Sequence, residues 1–324
     1  MTVAVGILSA AHVHTDAYAG LLTGREGVEL VGIADGDSER GRAAADKHDA
    51  DYRETDALLA VADGVVVCSP NAAHEEWVER AAEAGVDVLC EKPLAPTHEG
   101  AGRIVDACED AGINAGVCMP MRFSPLALEA RDRYEESIDE LRFVSGTNRG
   151  QMPGGWFTDA DLAGGGAVMD HTVHLLDLVR WYTGMEVTEV YAETGTQMHD
   201  IPVEDVNVLS MRLEDGTPFT LDGSWSRPDE WTTWGDVTLD LLGTEGSVGF
   251  DTTGAQLQHT NEEDGVQWVP YRSDMNEGLI DDFVAAVAED RNPRTTVREA
   301  ATEVAVIEAA YASSERGEPV AVEY

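Results

Sequence analysis

Two separated segments carry side chains that together could take a proton from a hydroxyl and steady the charge left behind. Glu91-Lys92-Pro93 closes the apolar run Val86-Asp87-Val88-Leu89-Cys90. The second segment reads Gly164-Gly165-Gly166-Ala167-Val168-Met169-Asp170-His171-Thr172-Val173-His174-Leu175-Leu176-Asp177. Only two lysines, Lys47 and Lys92, stand among the 21 basic residues, so a lysine at the end of a strand-like run is conspicuous. The carboxyl ends of parallel strands are where open α/β sheets bind ligands. Asp170 and His174 are four residues apart, which puts them on one face of a helix.

Each residue type has a distinct use in such chemistry. An imidazole, with an unperturbed pKa near 6.5, accepts a proton and returns it, which suits His174. An ammonium stabilises a developing alkoxide in a dry cleft, which suits Lys92. A carboxylate orients either group, which suits Asp170. A lone helical histidine is more often a core residue bonded to a backbone carbonyl; Asp170 and the three preceding glycines favour the chemical reading here. Asp170, His171, His174 and Asp177 could instead ligate a metal from one helix. No complementary set of hard ligands occurs elsewhere, so no metal is expected. The Gly164–Gly166 run reads as a close-approach loop or as a hinge.

Two domains are expected to position these groups, 1–120 and 121–324. In the first, strands are predicted over Val3–Leu8, Glu29–Ala34, Gly64–Cys68, Val86–Cys90 and Asn114–Cys118. Helices are predicted between them over Ala17–Leu22, Ser38–His48, Ala73–Ala84 and Thr97–Ala111. Near-continuous apolar strands alternating with helices signal a parallel sheet covered on both faces, a doubly wound α/β nucleotide-binding fold. After Pro120 the rhythm changes. A helix over Ser124–Glu135 leads to a strand near Leu141–Gly150, a Gly/Pro/Trp-rich loop and the Asp170 helix, ending about Thr183. Strands follow over Glu186–Gln197, Val206–Leu213, Phe219–Ser226, Val237–Leu242 and Ser247–Asp251, with an Asp215-Gly216 hairpin signal. Helices over Asn276–Asp290 and Val297–Ser314 close the chain. This second domain is predicted to be α+β with a largely antiparallel open sheet.

A dinucleotide-binding sheet of this kind uses G-x-G-x-x-G after its first strand, so that backbone can approach a pyrophosphate. Here the run is Gly6-Ile7-Leu8-Ser9-Ala10-Ala11-His12-Val13-His14, with Ser9, Ala11 and His14 at the three glycine positions. Small residues still permit a tight turn. His12 and His14 are either ligand contacts or polar residues at the start of the first helix, and for His14 the second reading is preferred. Asp35 ends the second strand, where a carboxylate accepts from a ribose 2′-hydroxyl; alternatively it is a turn residue of Asp35-Gly36-Asp37. Asp35 and Asp37 oppose a 2′-phosphate, which favours NAD. Arg40 is the one nearby basic residue that keeps NADP open.

Composition narrows the partners. The 324 residues include 62 acidic and 21 basic ones, a formal net charge of −41. Such a surface repels nucleic acid and anionic membranes. With lysine so scarce, it resembles the surfaces of proteins that work in molar salt. No stretch approaches 18 apolar residues and no signal peptide is visible, so no membrane span is expected. Cys68, Cys90, Cys108 and Cys118 show no CxxC spacing; three of them end apolar runs, and buried free thiols in a reducing cytoplasm are expected.

Several motifs, in order along nearly the whole chain, resemble those of the Gfo/Idh/MocA family, named for glucose–fructose oxidoreductase, inositol dehydrogenase and a rhizopine-catabolism protein. They are Cys68-Ser69-Pro70-Asn71-x-x-His74, Ala84–Leu94 with Glu91-Lys92-Pro93, Met121-Arg122-Phe123-Ser124-Pro125, Gly164–Asp177, Gly243-Thr244-Glu245-Gly246 and Ala309-Ala310-Tyr311-Ala312-Ser313. The glycine loop departs from the family pattern. The resemblance implies an NAD(P)-dependent oxidoreductase of sugars, polyols or inositol-like compounds. It implies a Rossmann domain and a substrate-binding domain whose open sheet pairs subunits into homodimers or homotetramers. Lys92, Asp170 and His174 fall at the catalytic positions. Ser9, Ala10, Ala11, His12, Val13, Asp35, Cys68, Ser69, Pro70, Asn71, His74, Glu91, Lys92 and Arg122 fall at cofactor positions. Trp156 joins Lys92, Asp170 and His174 as a substrate contact, with packing between domains as the plainer alternative for the Trp156-Phe157 pair. Trp225, Trp231 and Trp234 would line the substrate or an oligomer interface. Two other activities fit the same family: an NAD-dependent glycosidase working by transient oxidation, and a non-enzymatic sugar or dinucleotide sensor.

The charge excess has a measurable consequence. At 1 M salt the Debye length is roughly 3 Å, against about 10 Å at 0.1 M, so self-repulsion grows as salt is removed. The melting temperature should fall as KCl is lowered from multimolar to about 0.1 M. A midpoint independent of salt, read by circular dichroism, would refute the salt-adapted reading.

Overall fold

A computed structural model describes the chain except residues 1, 232, 253–255, 262–264 and 271–273; two strands, over 256–261 and 265–270, are described by their backbone alone. The first unit alternates β1 (Val3–Leu8), α1 (Thr15–Thr23), β2 (Val28–Ala34), α2 (Ser38–Lys47), α3 (Thr55–Leu59), β3 (Gly64–Val67), α4 (His74–Glu83), β4 (Asp87–Cys90), α5 (His98–Ala111) and β5 (Ala115–Val117). The five strands form one parallel sheet in the order β2-β1-β3-β4-β5. β1 and β3 are thus neighbours although β2 lies between them in sequence, and ligands bind beside such a reversal of strand order. Val5, Ile7, Val65, Val66, Val88 and Leu89 are fully buried, as strands covered on both faces must be.

Local signals explain the helix ends. The Asp37 side chain accepts from the backbone N–H groups of Glu39 and Arg40 at 3.0 and 3.2 Å and so caps α2. Thr97 caps α5 through Gly100 N–H at 3.1 Å, and Gly112 ends that helix in the left-handed region. All four cysteines are buried free thiols.

The second unit contains α6 (Pro125–Ser137), β6 (Leu141–Gly150), α7 (Ala160–Ala163), α8 (Ala167–Thr183), β7 (Val187–Gly195), β8 (Val206–Leu213), β9 (Pro218–Asp222), β10 (Gly235–Gly243), β11 (Ser247–Asp251), β12 (Gln256–Asn261) and β13 (Gly265–Pro270). Then come α9 (Met275–Glu289), α10 (Val297–Arg316) and β14 (Val320–Ala321). The nine strands β6–β14 pair in the order β13-β12-β11-β10-β6-β9-β8-β7-β14, antiparallel except for the parallel pair β6–β9. Strands β12–β14 and the short helices α3 and α7 carry too little periodicity to be read from sequence. β9 ends at Asp222, four residues before the predicted limit. Asp222 accepts from Ser224 N–H and Oγ, and Gly223 N–H turns to Asn207, so the chain leaves the ladder there.

The residues of 276–301 belong to the first unit, not the second. Their hydrogen bonds explain this. Val117 N–H donates to Thr295 O at 3.0 Å and Thr295 Oγ1 donates to Val117 O at 2.7 Å, which covers the otherwise bare edge of β5. A Cβ on Gly64 would lie 2.9 Å from both Phe283 and Val287, so α9 packs directly on β3. Among the described residues no helix is long and apolar enough to cross a membrane.

Candidate active site

In the first unit, four strand ends bring most of the predicted cofactor residues together. The Ser9–Val13 loop follows β1, Asp35 follows β2, Cys68–Asn71 follow β3, and Glu91 and Lys92 follow β4. Ser9 has φ +66°, the conformation that glycine supplies in the usual pattern, so the bend survives without the glycine. The His12 N–H donates to the Cys68 carbonyl at 2.9 Å and ties the first loop to the third. Val13 is exposed and Ala10 and Ala11 are half-buried, which leaves this small-residue turn approachable at the sheet's carboxyl edge. The loop therefore bends as the glycine pattern would and leaves its tip open.

Asp35 is more occupied than its expected task allows. Its Oδ2 accepts from Ala10 N–H at 2.6 Å and Arg40 Nε at 2.9 Å. Its Oδ1 accepts from Asp37 N–H and Arg40 Nη2, each at 2.7 Å. Burial alone would raise this carboxyl, but the Arg40 fork and the backbone donors outweigh it and hold its pKa below the usual range. A ribose hydroxyl would have to displace Arg40 to reach it.

Beneath the loop lies Glu91, with no exposed surface. Its Oε1 is 2.8 Å from His14 Nδ1 and 3.3 Å from His12 Nδ1, and its Oε2 accepts the Lys92 backbone N–H at 3.1 Å. Burial would raise its pKa; the facing histidines, the His14 hydrogen bond and Lys92 reverse that and hold it well below the usual range. These three donor atoms lie within 4.8 Å of one another, a grouping a transition-metal ion could use. Here His14 N–H donates to His12 Nδ1 at 3.2 Å and Glu91 accepts from His14. His14 is thus a loop brace, and His12 sits buried beside it.

His74 is fully buried, and its ring nitrogens lie 3.0 Å from Pro93 O and 3.1 Å from Ser69 O. Its side chain stitches the loop after β3 to the segment after Lys92, a support beneath the predicted cofactor surface. Burial lowers its pKa despite Glu91 and the carbonyls. Lys92 itself is 5% exposed and precedes a cis Pro93.

In the second unit, the start of α8 explains the three glycines. Gly164 has φ +82° and ends α7. A Cβ on Gly165 would collide with the Tyr311 hydroxyl, and one on Gly166 with the Glu204 backbone carbonyl. The run is a close-approach loop. Glu204, from the β7–β8 connection, supplies the cap that Gly166 lacks. Its side chain accepts from Gly166 and Val168 N–H at 3.0 Å and from Tyr311 OH at 2.8 Å, and its carbonyl accepts from Ala167 N–H at 3.0 Å. The anion also suits the positive end of the helix dipole. Burial raises the Glu204 pKa, against the pull of Tyr311 and the backbone donors. Among 62 acidic residues nothing in the sequence marks this one.

Asp170 and His174 stand one turn apart on α8, Asp170 buried and His174 half-buried. Asp170 Oδ2 accepts from the Trp225 indole at 3.2 Å and lies 3.2 Å from His171 Nε2. Trp225 is fully buried with Phe157, Ala167 and Val203, so it supports Asp170 from below and lines neither substrate nor interface. Trp156 stacks on Phe157 with ring centroids 3.9 Å apart, at the margin of that cluster. Trp231 and Trp234 are exposed, with Arg227 over the Trp231 ring. Arg122, expected at the cofactor, is buried and forks onto Asp177 through Nε at 2.9 Å and Nη2 at 2.6 Å. That ion pair commits Asp177 to structure rather than to a metal.

The cap makes a stability prediction. Glu204→Ala would leave the N–H groups of Gly166 and Val168 short of an acceptor and the half-buried Tyr311 hydroxyl without the carboxylate it donates to, while the backbone carbonyl at 204 keeps its bond to Ala167 N–H. It should cost about 2 kcal/mol, with Glu204→Gln, which keeps an acceptor, costing less. Urea unfolding in high salt measures both; equal stability of Glu204→Ala and the parent would show that the cap is dispensable.

The chain matches two adjacent family models: an oxidoreductase family NAD-binding Rossmann fold over residues 3–118, and a GFO/IDH/MocA C-terminal domain over residues 131–249. It is 29% identical over 300 residues to a D-xylose 1-dehydrogenase (NADP(+)) of Haloferax volcanii, covering 90% of this chain and 91% of that one. It is 28% identical to an inositol 2-dehydrogenase of Rhizobium meliloti, covering 78% and 76%. The fold matches that of GenD2 from gentamicin A biosynthesis, solved in complex with NAD, with a TM-score of 0.87 at 26% identity over 100% of this chain and 97% of that one. With both its sheets and both its domain patterns accounted for, the chain belongs to the Gfo/Idh/MocA family of NAD(P)-dependent oxidoreductases.

Proposed function

We propose that this protein is an NAD(H)-preferring dehydrogenase of a sugar, polyol or inositol-like compound, acting through Lys92, Asp170 and His174. The observation that carries this reading is a nearly buried lysine at the carboxyl end of β4, in the same row of strand ends as the dinucleotide loop. Relatives named as xylose, inositol and apiose dehydrogenases support the substrate class. A nicotinamide cofactor held by the strand-end loops of the first unit would supply the hydride acceptor or donor. His174 removes the hydroxyl proton, Lys92 stabilises the oxygen as it becomes an alkoxide, and Asp170 orients them. Trp156 offers a ring face to the substrate. Subunits pair through the open sheet of the second unit.

The cofactor preference rests on Asp35 and Arg40. In their fork the arginine charge is answered by the carboxylate, which leaves little to attract a 2′-phosphate. One relative carries NADP(+) in its name and a structural neighbour holds NAD, so the choice lies in these residues of this chain. Asp35→Ser should free Arg40 and move the NAD/NADP affinity ratio toward NADP by about tenfold. Tighter binding of NADP than NAD to the parent protein, by titration, would overturn the preference.

Steady-state kinetics over a panel of sugars, inositols and sugar acids in high salt tests the reaction. Lys92→Ala should lower kcat by about a hundredfold or more with less effect on cofactor affinity. His174→Ala should lower it by roughly 10²–10⁴-fold and remove the acidic limb of the oxidation profile, because a base must be neutral to accept a proton. Asp170→Asn should do less harm. Turnover near that of the parent in either of the first two variants would remove those residues from the chemistry.

A further inference from the structure

His171 lies between the two α8 residues of the proposed reaction and is 3% exposed. Its Nδ1 is 2.9 Å from the Gly223 carbonyl oxygen, and its Nε2 is 3.2 Å from Asp170 Oδ2. A carbonyl only accepts, so Nδ1 carries a proton. A neutral imidazole has no second proton, and Nε2 would then aim a lone pair at a carboxylate oxygen in a buried site. One additional proton removes that conflict. Two observations place it on the ring. Trp225 Nε1 already donates to the same Oδ2 at 3.2 Å, and an ionised oxygen takes two N–H donors readily. A net charge of −41 also favours the cation.

The ring is held in this direction. Asn148 Nδ2 donates to the His171 carbonyl at 2.9 Å, the Trp225 indole meets the imidazole edge-on at 86°, and a Cβ on Gly150 would lie 2.7 Å from His171 Cε1. Against the ring lie, among others, Asp170 from its own helix, Gly150 from β6, and Gly223 and Trp225 from the segment after β9, with Asn148 of β6 on the His171 backbone carbonyl. The charges next along those elements are engaged: Asp222 with Ser224, and Arg149 and Arg227 with Asp236.

We propose that His171 is an imidazolium paired with the Asp170 carboxylate near neutral pH, and that it is a positioning residue, fixing the charge and direction of Asp170. The positioning role rests on Asp170 acting in the proposed reaction; the proton count does not.

The test uses the full-length protein labelled with ¹⁵N-histidine, in high-salt buffer, followed by NMR from pH 5 to 9. The His171 signals are those lost in His171→Gln, or those moved most in Asp170→Asn should the first variant fail to fold. Both ring nitrogens should be protonated at pH 7, with a midpoint at least one unit above that of an exposed histidine. Asp170→Asn should lower that midpoint by a unit or more. A neutral Nδ1–H ring at pH 7, or a midpoint indifferent to Asp170→Asn, overturns the ion pair. In kinetics His171→Gln should lower kcat about tenfold with the cofactor KM unchanged. It should also move the acidic limb to higher pH, because without the imidazolium the Asp170 charge is less balanced and favours the protonated form of His174, the group that sets that limb. A uniform loss at every pH would show a merely structural role and overturn the positioning claim. Absence of turnover on every substrate would refute the dehydrogenase reading instead, with the NMR result still deciding the ion pair.

Discussion

The start of α8 must bring a carboxylate and an imidazole to a defined place, and it begins with a residue that has no side chain to cap it. Glu204 meets that constraint. One carboxylate and its own carbonyl take three consecutive N–H groups and the Tyr311 hydroxyl. The approach is so close that residues 165 and 166 have no room for a Cβ. A helix pinned in this way has a fixed axial rotation, so Asp170 on its first turn meets the Trp225 indole rather than water. The glycines are thus part of a rigid joint, and a hinge would need the opposite: open space around them and no hydrogen bonds across them.

The strand-end loops of the first unit solve a different problem with the same economy. Without the usual glycines, the turn after β1 is held by Ser9 in the left-handed region and by Asp35, whose oxygens take the Ala10 N–H and the Arg40 fork. Glu91 then braces the loop from below through His14. A buried carboxylate is tolerable there because donors surround it, and the facing histidines and Lys92 hold its pKa below the usual range against burial. The residues proposed to touch a cofactor and the residues that hold the loop in shape are therefore interleaved along one short segment. His14, on Glu91, stands with the second group.

The surface charge is separate from both arrangements. Most of the acidic side chains that give the net charge of −41 do not enter the site. Several buried ones are held by arginine: Asp35 by Arg40, Asp177 by Arg122, Asp236 by Arg149 and Arg227. Arginine suits these forks because its planar guanidinium offers paired donors to a carboxylate. A chain with two lysines has little else to offer.

Sequence by itself determined the parallel sheet, because Val3–Leu8, Gly64–Val67 and Asp87–Cys90 are short apolar runs separated by helical stretches, the pattern of strands covered by helices on both faces. It also determined the Asp170–His174 pair, since a four-residue spacing on a helix is a local matter, and the family, through motifs in fixed order. Tertiary structure alone decided what each polar side chain faces. The 276–301 segment joins the first unit because the edge of β5 needed a partner, a demand invisible within the segment itself. Glu204, Trp225 and His171 acquire their places from residues 38, 55 and 52 positions away. Hydrogen-bond partners that distant leave no periodicity in the chain, so the supports of the site were hidden where its reactive groups were legible.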